Sequence, residues 1–254
     1  MIIGILGCGT VGTANKKVFK KFDFAVRVHD IKFKTEINNL LACDLIVVCL
    51  PTPTMHDGTC DTRLIVKYLQ YLHKEKYKGI VLIRSTVLPG VTHEMQKKFK
   101  GLEICYSPEF LRDRSAYKDL LNSDFLPIGT NNKKTFKIVK KIHSQFVKKI
   151  IQTSTSEAEL IKYMNNIIAC NKVVFANIVS NIAQKKNCNY KTVKQGLVNL
   201  GRVTDNYLDM GKNHKGYNGA CLPKDIKSFV RFCKKEKFKF NLFDAIIKDN
   251  KKFI

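Results

Sequence analysis

The feature that most constrains the fold is the alternation of strand-like and helix-like patterns over residues 1–153. Short apolar runs rich in β-branched residues are separated by longer stretches with helical spacing. Such runs are typical of parallel strands that are covered on both faces. The pattern predicts an α/β domain with a doubly wound parallel sheet. The predicted strands are Ile2–Leu6, Phe24–His29, Asp44–Leu50, Gly79–Arg84, Leu102–Tyr106, Phe125–Gly129 and Lys149–Gln152, and the predicted helices are Thr13–Lys21, Asp61–Lys74, Val91–Phe99 and Lys133–Phe146.

The pattern changes after residue 153, and we predict a helical second domain over residues 154–254. Two overlapping capping boxes, Ser154–Glu157 and Ser156–Glu159, open a run without glycine or proline. Its apolar spacing predicts an amphipathic helix of roughly 30 residues. Shorter helices, interrupted by a loop at Gly211–Pro223, are expected after it. We expect the helix to bury its apolar seam against the first domain and a second copy of the chain, as a homodimer. The seam consists of Ile161, Met164, Ile168, Phe175, Ile178 and Ile182.

The chain is strongly basic, with 45 lysines and arginines against 21 acidic residues and a formal net charge of +24. This balance suits a nucleic-acid-binding protein. Only seven of the basic residues are arginine, however, and base and phosphate recognition favours arginine. The composition leaves two interpretations open, a solvated lysine-rich surface or affinity for a polyanion or acidic surface. Nucleic acid is not the partner that we expect.

Neither a membrane span nor a metal site is predicted. No stretch reaches the roughly 18 continuous apolar residues that a membrane span needs. The nine cysteines include no Cys-x-x-Cys pair and no matching histidine spacing, which argues against structural zinc. Several lie in apolar runs, as Cys49 and Cys105 do, where cysteine behaves as a small buried hydrophobic residue. A reducing, cytoplasmic location fits this usage best.

A glycine-rich segment, Gly7-Cys8-Gly9-Thr10-Val11-Gly12, follows the first predicted strand and leads into the first predicted helix. We call it the glycine loop. In a Rossmann-like fold the first glycine permits a tight turn, the second lets backbone N–H groups approach a pyrophosphate, and the third lets the helix pack on the strand. The second strand is followed by Asp30, whose carboxylate can accept hydrogen bonds from ribose hydroxyls. Because an acid there repels a 2′-phosphate, the loop predicts NAD rather than NADP as the cofactor.

Five further motifs follow the glycine loop in order along the chain. Together with the glycine loop they resemble the UDP-glucose/GDP-mannose dehydrogenase family over nearly the whole chain. The resemblance implies NAD-dependent oxidation of the C6 alcohol of a nucleotide sugar to a carboxylate, with UDP-glucose as the expected substrate. The motifs are Pro51-Thr52-Pro53, Ser85-Thr86-Val87 with Pro89-Gly90, Ser107-Pro108-Glu109-Phe110-Leu111, Ala158-Glu159-x-x-Lys162-x-x-x-Asn166, and Gly219-Ala220-Cys221-Leu222-Pro223-Lys224-Asp225.

The implied chemistry requires a nucleophile and an oxyanion site. A thiolate can hold the intermediate aldehyde as a thiohemiacetal, and a second oxidation then gives a hydrolysable thioester. The resemblance makes Cys221 this nucleophile, and the charge of Lys224 could favour its thiolate. By the same resemblance Lys162 and Asn166, four residues apart on one helix face, would bind the reacting oxygen. Asp225 would help place the water or the thiol.

The resemblance assigns the remaining site residues by their places in the family motifs. Glu109 would be the general base for thioester hydrolysis, and Thr86 would hydrogen-bond the water or the nicotinamide. The cofactor-binding residues would be Gly7, Gly9, Thr10, Val11, Gly12, Asp30, Pro51, Thr52, Ser85, Thr86, Asp113 and Lys224, and the substrate-binding residues would be Glu109, Phe110, Leu111, Lys162, Asn166, Arg202, Tyr217 and Gly219.

The sequence also departs from the family. The pattern Glu-Phe-Leu-x-Glu-Gly ends here in Asp113-Arg114, and the first of two glycines before the nucleophile is replaced by Asn218. Only thirteen residues separate Asp30 from Asp44, which abbreviates the first domain. Family members continue beyond the helical region into a domain that binds the nucleotide of the substrate.

Two other functions stay open. One is a β-hydroxyacid dehydrogenase with a smaller substrate, since such enzymes also pair a lysine with an asparagine four residues later but need no cysteine. The other is a catalytically silent NAD-binding module.

Overall fold

Seven β-strands form one sheet in the first part of the chain. The computed structural model describes residues 1–210 and 215–254. All seven predicted strands are present, and each end lies within two residues of its predicted position. The strands are β1 (Ile2–Leu6), β2 (Ala25–His29), β3 (Leu45–Val48), β4 (Ile80–Ile83), β5 (Glu103–Tyr106), β6 (Ser123–Gly129) and β7 (Val147–Thr153).

The strand order is β2-β1-β3-β4-β5-β6-β7, and the first five strands are parallel. The predicted parallel sheet is confirmed, with one exception that the pattern did not indicate. β6 joins β5 through a single antiparallel pair, Tyr106 with Gly129, and β7 runs parallel to β6. The connection from β5 to β6, residues 107–122, contains a 3₁₀ turn at Asp113–Ser115 and a six-residue helix, Ala116–Leu121.

Helices cover both faces of the sheet, as the doubly wound pattern predicts. The helices are α1 (Thr10–Lys21), α2 (Arg63–Lys74), α3 (Val91–Lys98), α4 (Ala116–Leu121) and α5 (Lys133–His143). In β3, Leu45 and Val47 pack with the helices of one face, α1, α4 and α5, while Ile46 and Val48 pack with α2 and α3 on the other. The six-residue α4 was not predicted, because it is too short to show a helical period.

A single long helix follows the sheet, as predicted. This helix, α6, spans Thr155–Lys185 and contains 31 residues. The first of the two predicted capping boxes begins it: the Glu157 N–H donates to Ser154 Oγ at 3.2 Å, and the Glu157 carboxylate accepts from the Ser154 N–H at 2.7 Å. The second box does not form, because Glu159 accepts its hydrogen bonds from Gly90 and Thr92 instead.

The apolar seam of α6 is exposed, which corrects the expectation that the first domain buries it. Only Ile161 of the six seam residues is partly buried. The face that the chain itself covers is instead rich in polar and small residues. The exposed fractions of the other seam residues are 53% for Met164, 53% for Ile168, 50% for Phe175, 39% for Ile178 and 55% for Ile182.

Three shorter helices follow in the described part of the chain: α7 (Tyr190–Asn199), α8 (Leu222–Lys235) and α9 (Leu242–Asn250). The chain divides into two compact units. One comprises residues 1–53 and 60–162, and the other comprises residues 54–59 and 163–254, which include these three helices and most of α6. The predicted domain division after residue 153 stays a prediction. Part of the predicted loop Gly211–Pro223, residues 211–214, lies outside the described residues.

The helix α6 is long and apolar enough to cross a membrane. The mean hydropathy of its most apolar 18-residue window is 1.3. In the fold, however, 44% of that window is buried. Core helices of water-soluble proteins pass the same test, so the composition of α6 is weak evidence for a membrane span.

Candidate active site

The three glycines of the glycine loop each meet a different steric requirement. Gly7 has a φ of +88°, and a Cβ there would lie 2.7 Å from the carbonyl oxygen of Cys49. A Cβ on Gly12 would lie 1.9 Å from the carbonyl oxygen of Gly7, so only glycine lets α1 approach β1 this closely. Among the described residues, no atom lies within 4 Å of the Cβ position of Gly9, which caps α1 without a side-chain hydrogen bond. The open space and the uncapped helix N-terminus fit a pyrophosphate.

Asp30 is held beside this loop by backbone donors. Its Oδ2 accepts from the Cys8 N–H at 2.6 Å, and its Oδ1 accepts from the Lys32 N–H at 2.8 Å. Burial alone raises the pKa of Asp30, but the two N–H donors and nearby positive charge, Lys32 included, together hold the pKa below its ordinary value. The carboxylate is therefore ionised and fixed at the end of β2. Each oxygen keeps further acceptor capacity for a ribose hydroxyl.

Asp113 also reaches the glycine loop, from a segment about a hundred residues later in the chain. Its Oδ1 accepts a hydrogen bond from the Thr10 hydroxyl at 2.6 Å. Both residues are predicted cofactor contacts, and the fold brings them together.

The predicted cofactor residues after β3 and β4 are joined by hydrogen bonds. The Thr52 hydroxyl donates to the Thr86 carbonyl at 2.7 Å, and the Ser85 hydroxyl donates to the Val48 carbonyl at 3.3 Å. Thr52 and Ser85 are buried, Thr86 is half-buried and Pro51 is exposed. The two loops are thus fixed to each other at the carboxyl edge of the sheet, where α/β folds bind ligands.

Lys162 and Glu109 form a buried ion pair, which with Phe110 we call the Lys162 cluster. The Lys162 Nζ lies 3.0 Å from Glu109 Oε1 and 2.6 Å from the Glu109 carbonyl oxygen. Only 6% of the Lys162 side chain and 11% of the Glu109 side chain are exposed. The ammonium also lies 5.6 Å from the centroid of the Phe110 ring, and Glu109 Oε2 accepts from the Leu111 N–H. The predicted oxyanion-binding group and the predicted base therefore neutralise each other.

Asn166 takes part in a second polar cluster, the Asp225 cluster, formed with Lys224 and Asp225. The Asn166 Nδ2 donates to Asp225 Oδ2 at 2.6 Å, and the Lys224 ammonium contacts the other carboxylate oxygen. Asp225 is only 1% exposed. Because Lys224 is paired with Asp225, its charge is less available to a neighbouring thiolate than the sequence suggests.

Cys221 is exposed and occupies the cap position directly before α8. Gly219, two residues earlier, shapes the backbone that leads to Cys221. It has a φ of +84° and, within the described residues, open space around its Cβ position. A helix N-terminus favours the thiolate form of a cysteine through its backbone N–H groups and dipole. The cap position thus offers a reactive Cys221 a support that does not depend on Lys224.

The remaining predicted substrate contacts differ in exposure. Arg202 is exposed after α7, so it is accessible to a ligand. Tyr217 is 4% exposed, and its backbone N–H and carbonyl are both bonded to the Asn250 side chain, at 2.7 and 3.0 Å. The sequence patterns did not indicate these two hydrogen bonds. They fix the backbone of Tyr217, which lies four residues before Cys221.

Both parts of the chain match one family of enzymes. The NAD binding domain of the UDP-glucose/GDP-mannose dehydrogenase family matches residues 26–147, and the central domain of the same family matches residues 156–252. The chain belongs to this dehydrogenase family. The predicted resemblance is confirmed, and so is NAD as the cofactor. The first match begins after the glycine loop, whose role rests on its geometry.

Named relatives agree with this membership. The chain is 30% identical to a UDP-glucose 6-dehydrogenase of Rickettsia prowazekii (strain Madrid E), over 82% of this chain and 49% of that protein. It is also 30% identical to the UDP-glucose 6-dehydrogenase TuaD of Bacillus subtilis (strain 168), over 83% of this chain and 47% of that protein. The chain thus spans about half the length of the curated dehydrogenases that it matches.

A solved structure of the same family has a similar fold. The UDP-glucose dehydrogenase of the archaeon Pyrobaculum islandicum matches with a TM-score of 0.90 at 21% identity, over 98% of this chain and 68% of that chain. A 3-hydroxyisobutyrate dehydrogenase of Mycobacterium tuberculosis matches with a TM-score of 0.77 at 14% identity, over 99% and 93% of the two chains. Likeness at such identities concerns the fold alone, so it does not separate the two enzyme classes.

Glu159 belongs to the family motif on α6, but the motif implies no role for it. The residue is fully buried, and its carboxylate accepts from the Gly90 N–H at 2.6 Å and the Thr92 N–H at 2.8 Å. It thereby ties α6 to the start of α3, just after the loop that carries Thr86. Burial raises the pKa of Glu159 to about 7, although the N–H donors oppose this rise. Its position three residues before Lys162 was the available signal, because residues at that spacing share a helix face.

Arg84 and His143 form a second buried pair that the sequence did not indicate. The Arg84 Nη2 lies 2.7 Å from His143 Nε2, and both residues are at most 1% exposed. Burial and the charge of Arg84 lower the pKa of His143 to about 3, so the imidazole is neutral and can accept from the guanidinium. The pair stiffens the end of β4 directly before Ser85.

Proposed function

We propose that the protein is an NAD-dependent dehydrogenase that oxidises the C6 alcohol of a nucleotide sugar to the carboxylate, with UDP-glucose as the first substrate to test. The observation that carries this proposal is the position of Cys221 at the start of α8, one turn before an Asp225 that Asn166 holds. A β-hydroxyacid dehydrogenase has no use for this cysteine. The family membership of both matched segments supports the same reaction.

The glycine loop and its neighbours would hold the cofactor. The cap residue of α1 offers no side-chain hydrogen bond to the first N–H groups of the helix, which suits them to a pyrophosphate, and Asp30 is placed to accept from the adenosine ribose. Thr10, Asp113, Thr52 and Ser85 surround the same edge of the sheet. Bound NAD supplies a hydride acceptor.

The Lys162 cluster provides both charges that the oxidation needs. The Lys162 ammonium stabilises the negative charge that develops on the reacting oxygen when the hydride leaves carbon. The Glu109 carboxylate accepts a proton from the water that later attacks the thioester. While the two groups are paired, their attraction offsets the cost of burying both charges. Two of the three N–H donors of the Lys162 ammonium bond Glu109, so the third would meet the substrate oxygen.

Cys221 would retain the intermediate between the two oxidations. Its sulfur adds to the carbonyl carbon of the aldehyde, and the carbonyl oxygen becomes the thiohemiacetal hydroxyl. Loss of a second hydride from that carbon, with loss of the hydroxyl proton, leaves a thioester. Water then adds to the thioester carbon and the thiolate leaves, which gives the carboxylate and restores Cys221.

The deciding experiment counts NADH formed per UDP-glucose consumed by the purified protein, with GDP-sugars and other UDP-sugars in parallel. The proposal requires two NADH per sugar. Cys221→Ser should stop turnover at a covalent adduct or after one hydride, while calorimetry still detects NAD binding. Cys188→Ser is the matched control, because Cys188 is also exposed and has no proposed role.

Other outcomes identify the alternatives. One NADH per substrate with release of a free ketone from a hydroxyacid would favour the β-hydroxyacid reaction. NAD binding without oxidation of any substrate tested would favour a silent NAD-binding module.

We also propose that the protein is a cytoplasmic homodimer. Five apolar residues of the α6 seam are exposed on one face of a single helix, and a second copy of the same helix could cover them. The nine cysteines suit a reducing compartment. Light scattering at micromolar concentration tests the dimer: a particle near 29.0 kDa would contradict it.

A further inference from the structure

The connection from α8 to α9 is exposed together with the adjoining helix ends, and we call this segment, residues 234–242, the basic aromatic loop. All nine of its residues are exposed. From Lys237 onward lysine alternates with phenylalanine, and three large apolar side chains stand out of the fold instead of entering it. Their exposed fractions are 54% for Phe238, 63% for Phe240 and 60% for Leu242.

Hydrogen bonds at the end of α8 fix how this loop is presented. Lys237 adopts the left-handed conformation with a φ of 63°, and the Phe238 N–H donates back to the Cys233 carbonyl at 2.8 Å. This is the arrangement of a Schellman cap, which ends a helix in a defined direction. The Phe238 and Phe240 rings then lie nearly parallel, at 15°, with centroids 6.2 Å apart. The aromatic pair is therefore a defined feature of the loop.

The charge around the rings is positive, because four lysines of the loop outnumber its one acidic residue, Glu236. Lys234 pairs with Asp244 at 3.2 Å, but Lys235, Lys237 and Lys239 make no ion pair within residues 1–210 and 215–254. An open cavity of about 540 Å³ lies between these groups, large enough for a small anionic headgroup. Its lining consists of Lys234, Lys237, Phe238, Lys239, Phe240, Asn241 and Asp244.

We propose that the basic aromatic loop docks the protein on an anionic phospholipid surface. Phenylalanine and leucine side chains gain free energy at the boundary between headgroups and acyl chains, and adjacent lysines attract anionic lipids. Lysine stems can lie along the apolar boundary while their ammonium groups reach the headgroups. Lysine suits this diffuse charge, whereas bidentate recognition of nucleic-acid phosphates favours arginine. The docking needs no membrane span and does not depend on the dehydrogenase reaction.

The absence of tryptophan from the chain allows a direct test of insertion. Phe240→Trp introduces a single fluorescent reporter at the tip of the loop. With vesicles of phosphatidylcholine and phosphatidylserine we expect a blue shift, and with brominated phosphatidylcholine in the same mixture we expect strong quenching. Leu200→Trp is the matched control, because Leu200 is 69% exposed outside the loop and should show neither change. An unquenched reporter at position 240, or equal quenching of both reporters, would overturn the proposal.

A second variant separates insertion from the diffuse attraction of a basic protein. The double substitution Phe238→Ser with Phe240→Ser leaves the net charge unchanged, and both side chains are exposed, so the fold should persist by circular dichroism. Co-sedimentation with the same vesicles should fall by at least about tenfold. Wild-type binding to pure phosphatidylcholine should be weak, since the lysines then have no anionic partner. Undiminished binding of the double variant, or wild-type binding that is independent of phosphatidylserine, would refute the proposed docking.

Discussion

The covered face of α6 combines buried polar groups with apolar residues such as Tyr163, Ile167 and Val174, whereas the opposite face is apolar and exposed. The face covered by the chain carries Glu159, Lys162, Asn166 and Asn177, none more than 5% exposed. The opposite face carries the apolar seam, of which five residues are exposed. A helix that buries its polar face must satisfy each buried polar group, because an unpaired one costs free energy.

The covered face meets this requirement residue by residue. Glu159 accepts from two backbone N–H groups, Lys162 pairs with Glu109, and Asn166 donates to Asp225. The Asn177 Nδ2 donates to the Val173 carbonyl, and its Oδ1 accepts from the Gly216 N–H. Each of these four polar side chains is therefore buried together with a specific partner, while the apolar seam of the same helix stays exposed.

The largest effect is expected when the polar face loses its cation. Lys162→Met should lower the rate of sugar oxidation by at least about a thousandfold, because the developing oxyanion loses its stabilising charge. It should also cost about 3–5 kcal/mol in the free energy of unfolding, since Glu109 stays buried without its partner. Urea unfolding and NADH formation measure the two losses.

The double variant Lys162→Met with Glu109→Gln sharpens this test. Removal of both charges should recover most of the stability and none of the activity. Equal stability of the single variant and the wild type would mean that the Lys162–Glu109 pair is not buried in solution.

The apolar face is tested by one charge placed on the seam. Ile178→Glu should weaken the proposed dimer by at least about a hundredfold, because association would bury an unpaired carboxylate. Gln184→Glu adds the same charge to an exposed position of α6 off the seam and should leave the dimer intact. Sedimentation velocity distinguishes them, and identical profiles for the two variants would place the dimer contact elsewhere.

Glu159 gives the polar face a dependence on pH. Its pKa of about 7 in the fold lies above the ordinary value of 4.5, so the folded state takes up a proton at a pH where the unfolded chain does not. Stability should therefore rise as pH falls from 8 to 5, by about 2–3 kcal/mol relative to Glu159→Gln. Urea unfolding across this range measures the difference between the two proteins.

Glu157 provides the control for this experiment. Hydrogen bonds from Ser154 lower the pKa of Glu157. The ionised carboxylate therefore makes its full contribution to the stability of the fold above pH 5, and this contribution disappears only in more acid solution. Glu157→Gln should therefore change stability by the same amount at pH 5 and pH 8. A parallel response of the two glutamine variants would show that Glu159 is not titrating.

The smallest effect concerns the residue that sets where α6 begins. Ser154→Ala should cost about 1 kcal/mol, as loss of an N-cap does. Ser156→Ala should cost almost nothing, because the second capping box is not formed. Thermal unfolding compares the stability of the two alanine variants. A larger loss of stability for Ser156→Ala would mean that α6 begins at a different residue.

Much of the first domain could be predicted because it depends on local patterns. The apolar runs identify all seven strands, and Gly12 has a local steric role, because a Cβ there would meet the carbonyl oxygen of Gly7 in the same loop. The single antiparallel junction between β5 and β6 is a matter of strand direction, which no apolar periodicity encodes. The contact of Thr10 with Asp113 likewise requires segments about a hundred residues apart to meet.

The sequence by itself determined the length of α6, its capping box and the existence of two stripes along it, because these follow from the helical period and from local hydrogen bonds. Only the tertiary structure decided which stripe is covered. Apolarity pointed to the seam, but Glu159, Lys162 and Asn166 find partners from distant segments that make burial of the polar stripe favourable. The pairing of Lys224 with Asp225, which reduces its influence on Cys221, was decided at the same level. Charge and hydrogen-bond partners are set in three dimensions, and a linear pattern carries no record of them.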